Sequence, residues 1–197
     1  MIAMQKLTRD DLFSLEKYAD VRDEFRGKVM LHKRNRRLEL GTNAALYFED
    51  RLTMHYQVQE MLRIERIFEA DGINEELEAY NPLIPDGSNW KATFMVEFPD
   101  IEERRAMLGQ LVGIEDRVYM QVGDLDKIYA IADEDLERSD EAKTSAVHFL
   151  RFELNAEQLD ALKGGAALTA GIDHDAYMVE ISPVADNIRE SLLGDLD

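Results

Sequence analysis

The nine residues WKATFMVEF, at Trp90–Phe98, decide the fold class. Apolar side chains stand at every second position, from Trp90 through Phe94 to Phe98, and Thr93 lies at one of the positions between them. Because successive side chains of a β-strand point to opposite faces of a sheet, this alternation predicts a strand with one buried face.

Outward from this strand, paired short segments around turn residues predict β-hairpins, and apolar residues at helical spacing predict helices. The expected strands are 37–40, 44–48, 117–122, 127–132, 145–154, 167–172 and 177–181. The expected helices are two between Thr8 and Arg36, then 51–70, 74–80, 99–111 and one after Asn155. Since hairpins replace a regular β-α-β order, we expect an α+β fold, with N-terminal and central helices packed on a largely antiparallel or mixed sheet.

A single domain is expected over residues 1–182, because a chain of 197 residues can form one core and contains no Pro/Gly/Ser-rich linker. Residues 183–197 are expected to form an acidic tail. Ile188, Leu192 and Leu193 could form the apolar side of a loose helix there.

Composition excludes several kinds of protein. The chain has no cysteine, so it forms no disulfide or Cys-ligated metal site of its own, and we expect no cofactor. The net charge of −18, from 23 basic and 41 acidic residues, disfavours nucleic acid and anionic membranes as partners. The N-terminus lacks a signal-peptide pattern and no apolar run approaches the ~20 residues that span a bilayer, so we expect a cytoplasmic protein.

The charge is unevenly distributed along the chain. Residues 26–37 carry six cations and no acid, whereas residues 133–141 carry six acids against Arg138 alone. The basic residues are Arg26, Lys28, Lys33, Arg34, Arg36 and Arg37. The two runs are typical either of a docking or anion-binding surface, or of solvated surface with cations at a helix C-terminus.

The expected helix 51–70 carries a polar line within its apolar sector, formed by Thr53, Gln57 and Glu60. A carboxylate there would be partly desolvated, with a raised pKa unless it is paired, and could act as a general acid or base. The alternative is that Glu60 forms a structural ion pair, with Arg36, Arg37 or Arg151 as the expected partners.

The four histidines form no recognisable metal motif, so no metal site is expected. His148 alternates with apolar residues and is expected to face the core, either as a hydrogen-bonded core residue or as a ligand-binding group, while Arg151 points the other way. His174 lies between two aspartates, where a weak metal site or simple turn chemistry would both fit.

The connection 81–89 is a candidate binding loop, with an ordinary crossover as the alternative. Its prolines restrict the backbone, and Asp86-Gly87 predicts a tight turn beside hydrogen-bonding side chains. The complete set of candidate ligand-binding residues is Gln57, Glu60, Asn81, Asp86, Ser88, Asn89, His148 and Arg151.

Five segments can be compared with known families: Tyr47–Arg51, Tyr56–Arg63, Tyr80–Gly87, Lys143–Phe152 and Asp173-His174. Together they resemble a bacterial family catalogued as a domain of unknown function, numbered 3501, over about residues 7–181. The resemblance implies no catalytic residues. It does imply a genetic neighbourhood of rubrerythrin-like proteins and iron–sulfur oxidoreductase subunits, and hence a redox or peroxide-defence system.

The leading hypothesis is therefore a non-catalytic accessory protein that docks a rubrerythrin-like or iron–sulfur partner and could also self-associate as a homo-oligomer. The competing hypothesis is an enzyme or ligand-binding protein with a pocket between the 51–70 helix and the sheet. A purely structural subunit is the third possibility.

Overall fold

The computed structural model describes residues 5–134 and 143–197. The helices are α1 (Leu15–Lys33), α2 (Arg51–Glu65), α3 (Ala70–Tyr80), α4 (Ile101–Gln110), α5 (Ala156–Lys163) and α6 (Asp186–Leu193). The strands are β1 (Arg37–Glu39), β2 (Ala44–Glu49), β3 (Asn89–Val96), β4 (Val118–Val122), β5 (Ile128–Tyr129), β6 (Ile131–Ala132), β7 (Val147–Glu153), β8 (Leu168–His174) and β9 (Tyr177–Ile181). In this part of the chain, none of the helices combines the length and apolar character needed to cross a bilayer.

Two antiparallel sheets carry the architecture, and the α+β class is confirmed. A five-stranded sheet has the order β1-β2-β3-β7-β6, and a four-stranded sheet has the order β5-β4-β8-β9. Strands β5 and β6 are separated only by Ala130, whose N–H donates to the Val118 carbonyl at 2.9 Å. One extended run of chain therefore pairs with both sheets, which is why the segment 127–132 does not form a simple two-stranded hairpin.

The main core lies between the inner faces of the two sheets. The alternating residues of β3 and its extension, from Trp90 through Phe94 to Phe98, are at most 4% exposed and belong to this core. Met120 and Ile172 contribute from the four-stranded sheet. The period-two pattern of residues 90–98 is thus confirmed.

The helical layer consists of α1, α2 and α3 and has an apolar cluster of its own. Met54, Val58 and Leu62 from α2 pack with Leu77 from α3 and with Ile84 after it. Helices α1 and α2 are antiparallel, because Tyr18 near the start of α1 bonds Glu60 near the end of α2, whereas His32 near the end of α1 bonds Asp50 at the start of α2.

The helix boundaries differ from the sequence prediction at three places. The segment at Thr8 forms only a 3-10 turn, Arg9–Asp11, and α1 starts later with a cap from Ser14. The helix expected to reach residue 70 ends at Glu65, because Arg66 adopts a left-handed conformation with φ 55°. The helix expected over 74–80 starts earlier, at Ala70, so Asp71 lies in the first turn of α3, where the positive end of the helix dipole stabilises its negative charge.

The segment 183–197, expected from its sequence to be an acidic tail, contributes Ile188 and Leu192 to the main core. The indole N–H of Trp90 donates to the Leu192 carbonyl at 3.0 Å. At the end of the chain, the Asp197 N–H donates to the Gly87 carbonyl at 2.9 Å. Helix α6 therefore packs on the main core, and the last residue pairs with the 81–89 connection.

Arg36 links this C-terminal segment to the helical layer and the five-stranded sheet. Its guanidinium donates to both carboxylate oxygens of Asp195, at 3.1 and 2.5 Å, and to the carbonyls of Phe48 and Glu49, at 3.0 and 3.1 Å. It also lies 3.4 Å from the carboxylate of Asp50, the N-cap of α2. We call these contacts the Arg36 network. Both Arg36 and Asp195 are almost fully buried.

Replacing Asp195 by alanine should lower the free energy of unfolding by about 3 kcal/mol at pH 7.5, because it leaves a buried guanidinium without its bidentate partner. Urea titration followed by circular dichroism measures this loss. The matched control is Glu190→Ala on the exposed side of α6, with an expected change within about 0.5 kcal/mol. Equal losses of stability from the two substitutions would contradict the claim that the buried Arg36 guanidinium depends on its pair with Asp195.

Candidate functional site

A cavity of about 1140 Å³ lies between the helical layer and the outer face of the five-stranded sheet. We call it the helix–sheet cavity. Its lining residues are Met30, Lys33, Arg34, Arg37, Leu38, Glu39, Tyr47, Glu49, Met54, Gln57, Tyr80, Leu83, Thr93, Met95, Val147 and Phe149.

The floor of the cavity is the outer face of the sheet. Strand register places Arg37, Tyr47, Thr93 and Phe149 in one row across β1, β2, β3 and β7. These residues alternate along their strands with core residues such as Phe94, so the same pattern that builds the core on one face builds the floor on the other. Two residues further along β3, Met95 pairs with Val147 on β7 and lies on the same face.

The roof comes from the helices and the turn after α3. Met30 and Lys33 lie at helical spacing on one face of α1, with Arg34 at its C-cap, and Met54 and Gln57 lie at helical spacing on α2. Tyr80 and Leu83 complete the roof.

The charged groups of the cavity are concentrated at the end formed by β1 and the last turn of α1. Arg37 pairs with Glu39 at 3.1 Å and stacks over the Tyr47 ring at 5.5 Å from its centroid. Lys33 lies 6.0 Å from the centroid of the Tyr56 ring. Within residues 5–134 and 143–197, no carboxylate lies within 4 Å of the charged nitrogens of Lys33 or Arg34.

Glu49 places a buried carboxylate on the floor of the cavity. Its side chain accepts a hydrogen bond from the Thr93 hydroxyl at 2.9 Å, and the residue is 8% exposed. Sequence reasoning missed Glu49 as a site residue. The signal was present, because Glu49 and Tyr47 alternate with the core residue Phe48 and so must face away from the core.

Of the eight candidate residues chosen from the sequence, the structure brings only Gln57 to the cavity. The polar line of α2 turns away from the sheet along its length. Thr53 is buried, and its hydroxyl accepts a hydrogen bond from the N–H of Asp50, the N-cap of α2. Gln57 lines the cavity, and Glu60 faces α1.

Glu60 forms an ion pair with α1 and not with any of the three arginines expected from the sequence. Arg22 donates to both carboxylate oxygens, at 2.8 and 2.9 Å, and the Tyr18 hydroxyl donates at 2.7 Å. The Arg22 guanidinium, assisted by the Tyr18 hydroxyl, lowers the pKa of Glu60. A lowered pKa does not suit a general acid near neutral pH, so Glu60 stabilises the α1–α2 packing.

The candidate loop residues make contacts that hold the connection itself. The Asn81 side chain bonds the Leu7 backbone at 2.8 and 3.0 Å, which attaches the N-terminal segment. Asp86 accepts hydrogen bonds from the backbone and hydroxyl of Ser88, and the Asn89 amide donates to Glu153 at 2.9 Å. These contacts support the alternative of an ordered crossover.

His148 and Arg151 lie on opposite faces of β7. His148 is fully buried and bonds Asp133 through one ring nitrogen, with the Thr144 hydroxyl 2.9 Å from the other. Arg151 lies on the outer face and pairs with Glu134 at 2.7 Å and with Glu153. The two residues therefore cannot serve one site. Most of the acidic run 133–141 lies outside the described residues.

His174 and its neighbours show no arrangement of metal ligands. The ring of His174 contacts the Val112 carbonyl at 3.0 Å, while the carboxylate of Asp173 bonds Arg117, Lys127 and the Tyr129 hydroxyl. Across the described ranges, no group of three or more His, Asp or Glu side chains could hold a metal ion.

A family model described as "Protein of unknown function (DUF3501)" matches residues 6–196. The chain belongs to the DUF3501 family. The family assignment suggested by the five sequence segments is thus confirmed, and the match continues beyond residue 181 through α6.

A solved structure shares this fold. It is a crystal structure titled as a novel protein of unknown function from Burkholderia pseudomallei, 51% identical to this chain, with a TM-score of 0.92. The alignment covers 98% of this DUF3501 chain and 100% of the other. No curated protein matches the chain.

Replacing Glu60 by glutamine should lower the free energy of unfolding by about 1–2 kcal/mol at pH 7, because a hydrogen bond to a charged group is lost. Since the folded pKa of Glu60 is below its ordinary value of 4.5, the difference from wild type should be fully present above that value. It should disappear as the pH falls through the lowered pKa.

Urea titrations at pH 7 and in acid measure this dependence, with the exposed Glu24→Gln on α1 as the control. A pH-independent difference between wild type and Glu60→Gln would show that the ion pair is not its cause.

Proposed function

We propose that this DUF3501 protein binds a small organic molecule in the helix–sheet cavity. Its volume of about 1140 Å³ is slightly above the usual range of ligand sites in proteins, which is about 300–1,000 Å³. The observation that carries the proposal is the lining, in which nine apolar or aromatic residues stand beside seven polar or charged ones, so that it offers a ligand both apolar contacts and groups that can orient it.

Binding is favoured over catalysis because the acid–base candidates chosen from the sequence lie outside the cavity, and the buried carboxylate on its floor, that of Glu49, is hydrogen-bonded to Thr93. Glu60 is paired with Arg22 outside the cavity, and His148 is buried on the opposite face of the sheet from Phe149, which lines the floor. The polar groups that do line the cavity, such as Gln57 and Thr93, are suited to orienting a ligand by hydrogen bonding.

An accessory role beside a rubrerythrin-like or iron–sulfur partner stays a prediction. It is compatible with ligand binding, since an accessory protein can respond to a small molecule. Repeated co-purification of such a partner from native extract would support this role, and repeated recovery of the protein alone would count against it.

The neutral dye N-phenyl-1-naphthylamine, which becomes fluorescent in apolar surroundings, tests the proposed site. We expect saturable binding by the wild-type protein. Met95→Trp should weaken it about tenfold or more, because the indole fills space above the floor of the cavity. Fluorescence titration measures both.

The matched control is Met178→Trp, which places the same side chain on β9 at a position that is 77% exposed. It should bind the dye as wild type does, and thermal unfolding should show that both variants are folded. Equal binding by the Met95→Trp and wild-type proteins would mean that the cavity is not the site.

A further inference from the structure

The helix–sheet cavity has a cationic end, formed by Lys33, Arg34 and Arg37. Only Arg37 has an acidic partner within 4 Å among the described residues, and that partner, Glu39, is itself 67% exposed. The C-terminal end of α1 carries a partial negative charge that stabilises Lys33 and Arg34 without a carboxylate. These cations therefore keep donor groups available for an anion.

This local charge is opposite to that of the whole chain, whose net charge is −18. A protein of this charge repels organic anions at long range. Lys33 and Arg34, which have no acidic partner within 4 Å among the described residues, are consequently the groups most able to select an anion at this site. Arg34 and Arg37 can each contact an anionic group through two N–H donors.

The opposite end of the cavity is apolar. The row that begins at Arg37 on β1 ends at Phe149 on β7, three strand spacings or about 14 Å away. Met95 and Val147 lie beside Phe149 on the same face. One surface therefore offers cations for an anionic group at one end and apolar contacts at the other.

Glu49 limits where a negative charge can lie. Its buried carboxylate on the floor disfavours a second anionic group there, because like charges in a partly desolvated site repel strongly. It can accept a hydrogen bond from a ligand hydroxyl or amine instead.

We infer that the cavity binds an amphipathic organic anion, with one anionic group between Lys33, Arg34 and Arg37 and an apolar body directed along the floor toward Phe149. This inference rests on the proposed function and adds the chemical class of the ligand. A carboxylate, sulfonate or phosphate monoester of an apolar body belongs to that class.

The test compares two dyes with the same aromatic skeleton, neutral N-phenyl-1-naphthylamine and anionic 8-anilinonaphthalene-1-sulfonate. The double variant Lys33→Gln/Arg34→Gln should weaken binding of the anionic dye about tenfold and leave the neutral dye unchanged. Met95→Trp should weaken both dyes. The control is Arg26→Gln combined with Lys28→Gln, which removes the same charge from exposed positions on α1.

Salt supplies an independent measurement. The affinity for the anionic dye, relative to that for the neutral dye, should decrease as ionic strength approaches 1 M, where the Debye length is about 3 Å. Binding of the neutral dye should not decrease.

The outcomes separate the two proposals. If the neutral dye binds and Met95→Trp blocks it, but the anionic dye is insensitive to Lys33→Gln/Arg34→Gln, the ligand class is wrong and the binding function stands. An equal loss of anionic dye in the double variant and in its control would also overturn the inference, since it would reflect net charge alone. If neither dye binds, the proposed function itself fails.

Discussion

The position of the cationic end depends on one buried side chain, Arg36. It lies between Arg34 and Arg37 in sequence, and its guanidinium is fixed by Asp195 and by backbone carbonyls at the end of β2. A buried guanidinium requires nearly all its donors to be satisfied, so the Arg36 network determines where the chain leaves α1 and enters β1. The neighbouring cations Lys33, Arg34 and Arg37 line the cavity.

The five-stranded sheet has two chemically different faces, and both follow from the two-residue period of its strands. One face, with Phe94 and Phe48, is packed against the four-stranded sheet. The other, with Thr93 and Tyr47, is covered by helices that leave a cavity between themselves and the strands. The proposed binding surface is therefore a direct consequence of the same strand pairing that forms the core.

The sequence predicted the fold class and most strands, because alternation such as that at residues 90–98 depends only on local burial. It also placed a possible pocket beside the 51–70 helix. It did not predict which residues form the site. Glu60 and Arg22 are 38 residues apart, and the helical pattern around Glu60 fits a pair with Arg22 as well as one with Arg36, Arg37 or Arg151. Glu49 was missed since a strand's outer face usually meets solvent, and only the tertiary structure shows the helices that cover it.

A crystal structure of the protein with bound 8-anilinonaphthalene-1-sulfonate tests the central claim most directly. We predict electron density for the sulfonate within about 4 Å of Lys33, Arg34 or Arg37, with the aromatic rings over Thr93 and Phe149. Density for the dye only outside the helix–sheet cavity, or in the cavity with its sulfonate beside Phe149, would contradict the account.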